Sequence, residues 1–345
     1  MGQLKMNKLN KIVLFSAYLI VILFIFAAAD VFLLNNRLNL GHPRFSDSSK
    51  AEYPYAGFIE RSLASRVNFE GGGNCLNECK NKIRIAFFGG STAVYPDFET
   101  PGSENIPSYL EKILKKKLKK DVIVMNYAAG GAAHRQHLHM LLEFMPEFKP
   151  DIVIFYGGSN ETVQHWFFEP RPGYPMNFYY KAEFETWKKF LLEYSAVFSR
   201  LLGFKFEDDN NDKIKKRIKF RSRKWKKQIV KNYMETIELS KAAANTFKSD
   251  LFGTAVFIAV FQPINKRTPE YDEETVKEQN ETINELRKSI KQLDYAYDFY
   301  DKYDVFPESV FYDNCHVKDK ANRLMAEEIA KLLTGRYFKP AGIVR

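Results

Sequence analysis

A few residues of this chain have the types and settings that could carry chemistry. Ser91 follows two glycines at the end of an apolar run in "RIAFFGGSTAVYP" (84–96). Asn160 follows Gly158-Ser159, and Asp313 and His316 stand three apart in "YDNCHVKD". A serine hydroxyl becomes a nucleophile when a base takes its proton and a further acceptor orients that base. At i and i+3, Asp313 and His316 would share one side of a helical turn, so the carboxylate can reach the imidazole. His316 could then take the proton of Ser91. A tetrahedral intermediate needs donors aimed at its oxyanion. The N–H of Ser91, the N–H of Gly131 and the side-chain amide of Asn160 are the candidates. The chemistry is acyl transfer through a covalent acyl-serine. Each residue has a blander role: Ser91 as a helix cap, Asn160 as a turn residue, His316 as a surface histidine. Only the nucleophile reading accounts for all of them together.

These residues need elements to hold them. Apolar runs predict strands at 83–88, 121–127, 151–156 and 254–261, with a weaker one at 294–300. Between them, helical spacing predicts helices near 104–119, 132–145, up to about 248, 272–292 and 318–334. Strand–helix alternation with nearly continuous apolar strands argues for an α/β fold whose parallel sheet is buried on both faces. Ligands bind such sheets at the carboxyl ends of the strands. Ser91, Gly131 and Asn160 each follow one of the first three strands, and Asp313 and His316 follow the last.

In these positions the chain resembles the SGNH hydrolases, the GDSL-like esterase family. The family's Gly-Asp-Ser block appears as Gly89-Gly90-Ser91. Its second block, Asn with Gly five residues on, appears as Asn126 and Gly131. Its Gly-x-Asn-Asp block appears as Gly158-Ser159-Asn160 with Glu161 last, and Asp-x-x-His is intact as Asp313 to His316. Gly90 and Glu161 depart from the pattern and mark a divergent member. The resemblance implies a flavodoxin-like three-layer α/β/α fold with about five parallel strands, no metal or other cofactor, and hydrolysis or transfer of ester-linked acyl groups. It covers roughly 83–335, except 163–250, which is expected to be an insertion that sets the substrate.

The N-terminus is of another kind. Lys5, Lys8 and Lys11 precede "IVLFSAYLIVILFIFAAADVFLL" (12–34), whose one charge is Asp30. This is long for a signal-peptide core and long enough to span a bilayer. The expected organisation is a cytoplasmic 1–11, a transmembrane helix at 12–34, a linker at 35–80 and the hydrolase-like domain at 81–340. A cleaved signal ending at Ala27-Ala28-Ala29 is the alternative. Either way the lysines place the remaining chain outside the cytoplasm.

The formal charge of +10 over 345 residues is local. The stretch 213–231 holds eleven Lys or Arg and no acid; without them the rest of the chain carries −1. Ile214, Ile218, Trp225 and Ile229 fall on one helical face, giving a basic amphipathic helix. Contact with anionic lipid is one reading, a solvated helix packed by its apolar stripe the other; nucleic acid is not an expected partner. Cys75 and Cys79 are spaced to close a small disulfide loop in an oxidising compartment, and Cys315 is left as a small packed thiol. In "HRQHLH", His134 and His137 share a face while His139 points away, so no metal is expected.

Three functions follow from these residues. The leading one is a membrane-anchored extracytoplasmic esterase removing O-acyl groups, O-acetyl foremost, from a cell-envelope glycan. The second is an O-acetyltransferase using the same residues. The third is a non-catalytic polymer- or lipid-binding protein on a degenerate hydrolase fold.

Overall fold

The computed structural model describes residues 8–35, 50–53, 57–60, 79, 81–97, 99–163, 223–266, 273–306 and 308–338. The chain divides into two units, one of residues 1–47 and 178–216, the other of 48–177 and 217–345.

In the first unit the described element is α1 (Lys8–Asn35). Its side chains are described over 13–29 and are almost all exposed, Phe15 at 71% and Phe24 at 74% among them. No helix among the described residues is long and apolar enough to cross a membrane. The expected span at 12–34 is thus a helix whose role as an anchor these residues do not establish.

The second unit opens with β1 (Lys50–Tyr53) and β2 (Gly57–Glu60), an antiparallel pair inside the segment expected to be a linker. Then come β3 (Ile83–Gly89), α2 (Ser91–Val94), α3 (Ile106–Leu118), β4 (Val122–Asn126), α4 (His134–Phe148), β5 (Ile152–Gly157) and α5 (Ser159–Val163). After the undescribed stretch follow α6 (Arg223–Ala244), the short antiparallel pair β6 (Lys248–Ser249) and β7 (Gly253–Thr254), and β8 (Val256–Phe261). The last elements are α7 (Glu273–Ile290), β9 (Ala296–Asp298), a 3-10 turn at Lys302–Val305 and α8 (Asp319–Arg336).

Five strands form one parallel sheet in the order β4-β3-β5-β8-β9. That is the flavodoxin-like order, in which the chain reverses direction across the sheet between the first and third strands, here β3 and β5. Alternate residues of each strand feed two cores. Phe88, Phe155, Phe257 and Phe261 pack with α4, α6 and α7 on one face. Ile85, Phe87, Ile154 and Val260 pack with α3 and α8 on the other. Both faces are covered, so the strands read as continuous apolar runs, as the sequence predicts.

Helix boundaries follow their caps. Asn105 caps α3 by accepting the N–H of Ser108 at 3.0 Å, and Lys119 ends it in the left-handed region at φ 50°. The Gln136 side chain accepts the N–H of Ala133 at 3.0 Å and starts α4, which runs on through Pro146.

Within the region read as an insertion, 164–222 lies outside the described residues, including the aromatic stretch 164–175. The remainder is part of the core. α6 buries Ile229, Tyr233 and Ile237, and Lys226 pairs with Glu281 of α7 at 2.5 Å. Ile229, one of the four residues of the expected amphipathic face, is thus turned into the protein. The side chains of Ile214, Ile218 and Trp225 lie outside the described residues. Cys79 is buried and disulfide-bonded and Cys315 is free; Cys75 lies outside the described residues.

Candidate active site

The first strand of the main sheet, β3, runs straight into Gly90, the N-cap of the one-turn helix α2, so Ser91 stands at the carboxyl end of the sheet. Two side chains pin that helix from outside. The Asn126 amide donates to the carbonyl of Ala93 at 3.0 Å, and the Asn105 amide donates to that of Val94 at 3.1 Å. Asn126 also accepts the N–H of Ala128 at 2.9 Å, which turns the chain after β4.

The other half of the site is 225 residues away in sequence. His316 Nε2 lies 2.7 Å from Ser91 Oγ, and His316 Nδ1 lies 2.5 Å from Asp313 Oδ2. In the neutral imidazole, Nδ1–H donates to the carboxylate and Nε2 accepts from the hydroxyl. This is the nucleophile–base–orienter chain that acyl transfer requires.

The turn carrying this pair is not helical, as the i, i+3 spacing suggested. Phe311 and Val317 form an isolated antiparallel bridge, and the Tyr312 N–H donates to the His316 carbonyl at 2.9 Å. Inside that bend, Asp313 Oδ1 accepts the N–H of Cys315 at 2.8 Å and that of His316 at 2.7 Å. The carboxylate thus folds its own turn rather than a helical one, leaving Oδ2 to face the imidazole. Asn265, just after β8, holds the bend from the sheet side, its N–H donating to the carbonyl of Asn314 and its amide to that of Asp313, at 2.8 and 3.0 Å.

Electrostatics follow the contacts. The hydrogen bond to Asp313, then that to Cys315, raise the His316 pKa to about 10 against the lowering effect of burial. Burial pushes Asp313 up, but bonds from His316 and from the N–H groups of Cys315 and His316 outweigh it, and its pKa falls below the usual value. Asp313, Cys315 and His316 bring their ligand atoms within 4.8 Å of one another, a closeness that the Asp–His hydrogen bond and the bend already explain.

The oxyanion candidates fall at three adjacent strand ends, Ser91 after β3, Gly131 after β4 and Asn160 after β5. Asn160, in α5 after β5, donates its amide to the carbonyl of Ala132 at 2.7 Å. A Cβ on Gly90 would come within 2.7 Å of that same amide nitrogen, so Asn160 lies directly against the residue before the nucleophile. Gly131, in the turn after β4, has φ +76°, a conformation that glycine reaches without strain. The structure therefore brings together Ser91, Asp313 and His316, and sets Asn160 beside them.

Glu161 has a structural task. One oxygen accepts the N–H of His134 at 2.5 Å and the other the N–H of Gly158 at 2.9 Å, tying the turn after β5 to the start of α4. His134 and His137 are buried with Nδ1 atoms 3.2 Å apart, and His137 Nε2–H donates to the carbonyl of Gly89 at 3.0 Å. Burial lowers both pKa values to about 3, so both rings are neutral and serve packing and hydrogen bonding.

Sequence reasoning missed Asp97, Tyr312 and Asn265, which hold the loops of the site. They sit in irregular segments with no periodicity, and a tyrosine or asparagine in a turn is common.

No protein-family model matches this chain, and no curated protein matches it. Among solved structures it is similar to a lipase from a goat rumen metagenome, at 15% identity, covering 72% of this chain and 96% of that one, with a TM-score of 0.42. It is similar to an acetyl xylan esterase at 13% identity, covering 73% and 100%, with a TM-score of 0.40. A member of the lipolytic protein G-D-S-L family from Veillonella parvula follows at 13% identity, covering 72% and 97%, with a TM-score of 0.41. At these identities and scores the likeness decides nothing about activity; the geometry of Ser91, His316 and Asp313 has to.

Proposed function

We propose that this protein is a serine esterase of SGNH type that cleaves ester-linked acyl groups through an acyl-enzyme on Ser91. The observation that carries this is the continuous chain from Ser91 Oγ through His316 to Asp313, at 2.7 and 2.5 Å. In the reaction Ser91 Oγ attacks the ester carbonyl as His316 Nε2 takes its proton. The oxyanion is held by the N–H groups of Ser91 and Gly131 and by the Asn160 amide. His316 then protonates the leaving alkoxide, and in the second half activates the water that releases the acid. Asp313 holds the imidazole tautomer throughout and stabilises the imidazolium. No step calls for a metal or cofactor.

The natural substrate we propose is an O-acyl group, O-acetyl foremost, on a cell-envelope glycan, presented to a domain held outside the cytoplasm by α1. Support for that location comes from the lysines ahead of the apolar 12–34 stretch, the helical run Lys8–Asn35 and the oxidised Cys79.

The test is hydrolysis of chromogenic acetyl and longer acyl esters by the full chain in detergent, compared with Ser91→Ala. Turnover that vanishes in the variant establishes the nucleophile, and preference for acetyl supports the substrate class. Folded wild-type protein that neither turns over an ester nor reacts with a fluorophosphonate overturns the esterase reading. Transfer of acetyl to a glycan hydroxyl would pass through the same acyl-enzyme, and product analysis with an acceptor glycan separates it from hydrolysis.

A further inference from the structure

We infer that Asp97 is a positioning residue for the acyl chemistry, a buried carboxylate that clamps the turn bearing Asp313 and His316 onto the loop following Ser91. The inference rests on the esterase reading of that site. Asp97 is 5% exposed and lies six residues past the nucleophile. Each of its oxygens takes one bond from its own loop and one from the segment bearing the base. Oδ1 accepts the N–H of Glu99 at 2.9 Å and the hydroxyl of Tyr312 at 2.6 Å. Oδ2 accepts the hydroxyl of Thr100 at 2.7 Å and the N–H of Asp319 at 2.9 Å. The Asp97 carbonyl also accepts the Ser103 hydroxyl at 2.7 Å.

The far partners bracket the catalytic pair. Tyr312 immediately precedes Asp313, and Asp319 comes three residues after His316, at the first turn of α8. The two halves of the site, more than 200 residues apart in sequence, are therefore joined at one carboxylate on both flanks of the bend. An ionised carboxylate offers about four acceptor positions, and four donors take them here. Asparagine could not replace it: on either side its amide nitrogen would face a backbone N–H, that of Glu99 or of Asp319, which can only donate. Bonds to an ionised carboxylate are about twice as strong as neutral ones, so this clamp is stiffer than a neutral one of the same length. From the other side, the bend is held by Asn265 and the nucleophile helix by Asn105 and Asn126. Asn126 and Asn265 tie each half to a strand end of the sheet, while Asp97 ties the halves to each other.

Such a clamp acts on the distance and angle between Ser91 Oγ and His316 Nε2, on which the proton transfer depends. A misplacement of about 1 Å can lower turnover on the order of 10²-fold. A purely structural carboxylate would lower the melting temperature and leave the turnover of folded protein unchanged.

The experiment compares wild type, Tyr312→Phe, Asp97→Asn and the double variant, as full chains in detergent. Two readouts are taken on folded protein: kcat and KM for a short chromogenic ester, and the low-field proton resonance of His316 Nδ1–H. The second does not depend on turnover. Tyr312→Phe, which removes one bond and keeps the ring, is expected to lower kcat roughly tenfold, and Asp97→Asn roughly a hundredfold, with KM nearly constant. The double variant should be no worse than Asp97→Asn, because one clamp is broken in both. In the variants the Nδ1–H resonance should shift or broaden. Wild-type kcat together with an unchanged resonance in folded Tyr312→Phe overturns the inference, even if Asp97→Asn does not fold. A wild-type protein without turnover defeats the esterase reading instead, and the resonance still reports whether Asp97 orders the Asp313–His316 pair.

Discussion

His316 Nε2 stands 2.7 Å from Ser91 Oγ although 225 residues separate them. The contact joins the end of the first strand of the main sheet to a bend that precedes the last helix. Each partner is also held by its own neighbours, Ser91 by the pinned one-turn helix and His316 by the carboxylate of Asp313.

Ester hydrolysis should rise with pH through the alkaline range. Only the neutral imidazole can take the serine proton, and the bonds to Asp313 and Cys315 raise the His316 pKa to about 10. A raised folded pKa also means that the pair stabilises the fold fully below the ordinary histidine value near 6.5. That stabilisation is lost as pH rises through about 10. Asp313→Asn should move the rising limb of kcat/KM down toward 6.5 and lower kcat by about 10³- to 10⁴-fold. A pH–rate profile of both proteins checks this; an unmoved limb would detach the ionisation from His316.

Cys315→Ala should keep activity and move the same limb downward by less than Asp313→Asn does. Its sulfur lies 4.0 Å from His316 Nδ1 and is the second cause of the raised pKa, while its buried position keeps it from substrate. Steady-state kinetics at several pH values test this. Loss of all activity in the alanine variant would make the thiol a participant in the chemistry.

Gly90→Ala should impair catalysis through Asn160. The added methyl would meet the Asn160 amide nitrogen at 2.7 Å, and the φ of Gly90, −83°, is open to alanine. The effect is therefore one of space rather than backbone strain. Both Gly90→Ala and Asn160→Ala are expected to lower kcat by about 10² to 10³, the usual range for a lost oxyanion donor. Their combination should add little, since both displace the same group. Additive losses would show that Gly90 acts elsewhere.

Glu161→Asp restores the residue usual in the family and should still destabilise this protein. The longer side chain reaches both the N–H of His134 and that of Gly158; aspartate is one methylene shorter. A buried donor left without its acceptor costs about 1–3 kcal/mol. Chemical denaturation of the two proteins measures the difference, and equal stabilities would mean that the turn can close on the shorter side chain.

Much of the sheet was readable because it is buried on both sides. Continuous apolar runs at 83–88, 151–156 and 254–261 became β3, β5 and β8 with shifts of one or two residues at their ends. The edge strand at 294–300 shrank to Ala296–Asp298, since it pairs on one side only. Residues 223–244, placed by sequence in the expected insertion, form α6, and Ile229 fits the reading of a solvated helix packed by its apolar stripe. Ile229, Tyr233 and Ile237 show that it covers the sheet's own core.

The sequence by itself determined the residue types at the strand ends. Glycines, a serine, an asparagine and an Asp-x-x-His are local features, and burial periodicity locates the strands that precede them. Only the tertiary structure decided which of these meet. It brought His316 to Ser91, folded Asp313 into a bend rather than a helical turn, and gathered Tyr312 and Asp319 onto Asp97. Contacts between segments more than 200 residues apart leave no trace in local periodicity. They are set by the strand order β4-β3-β5-β8-β9, which decides which loops share the carboxyl edge of the sheet.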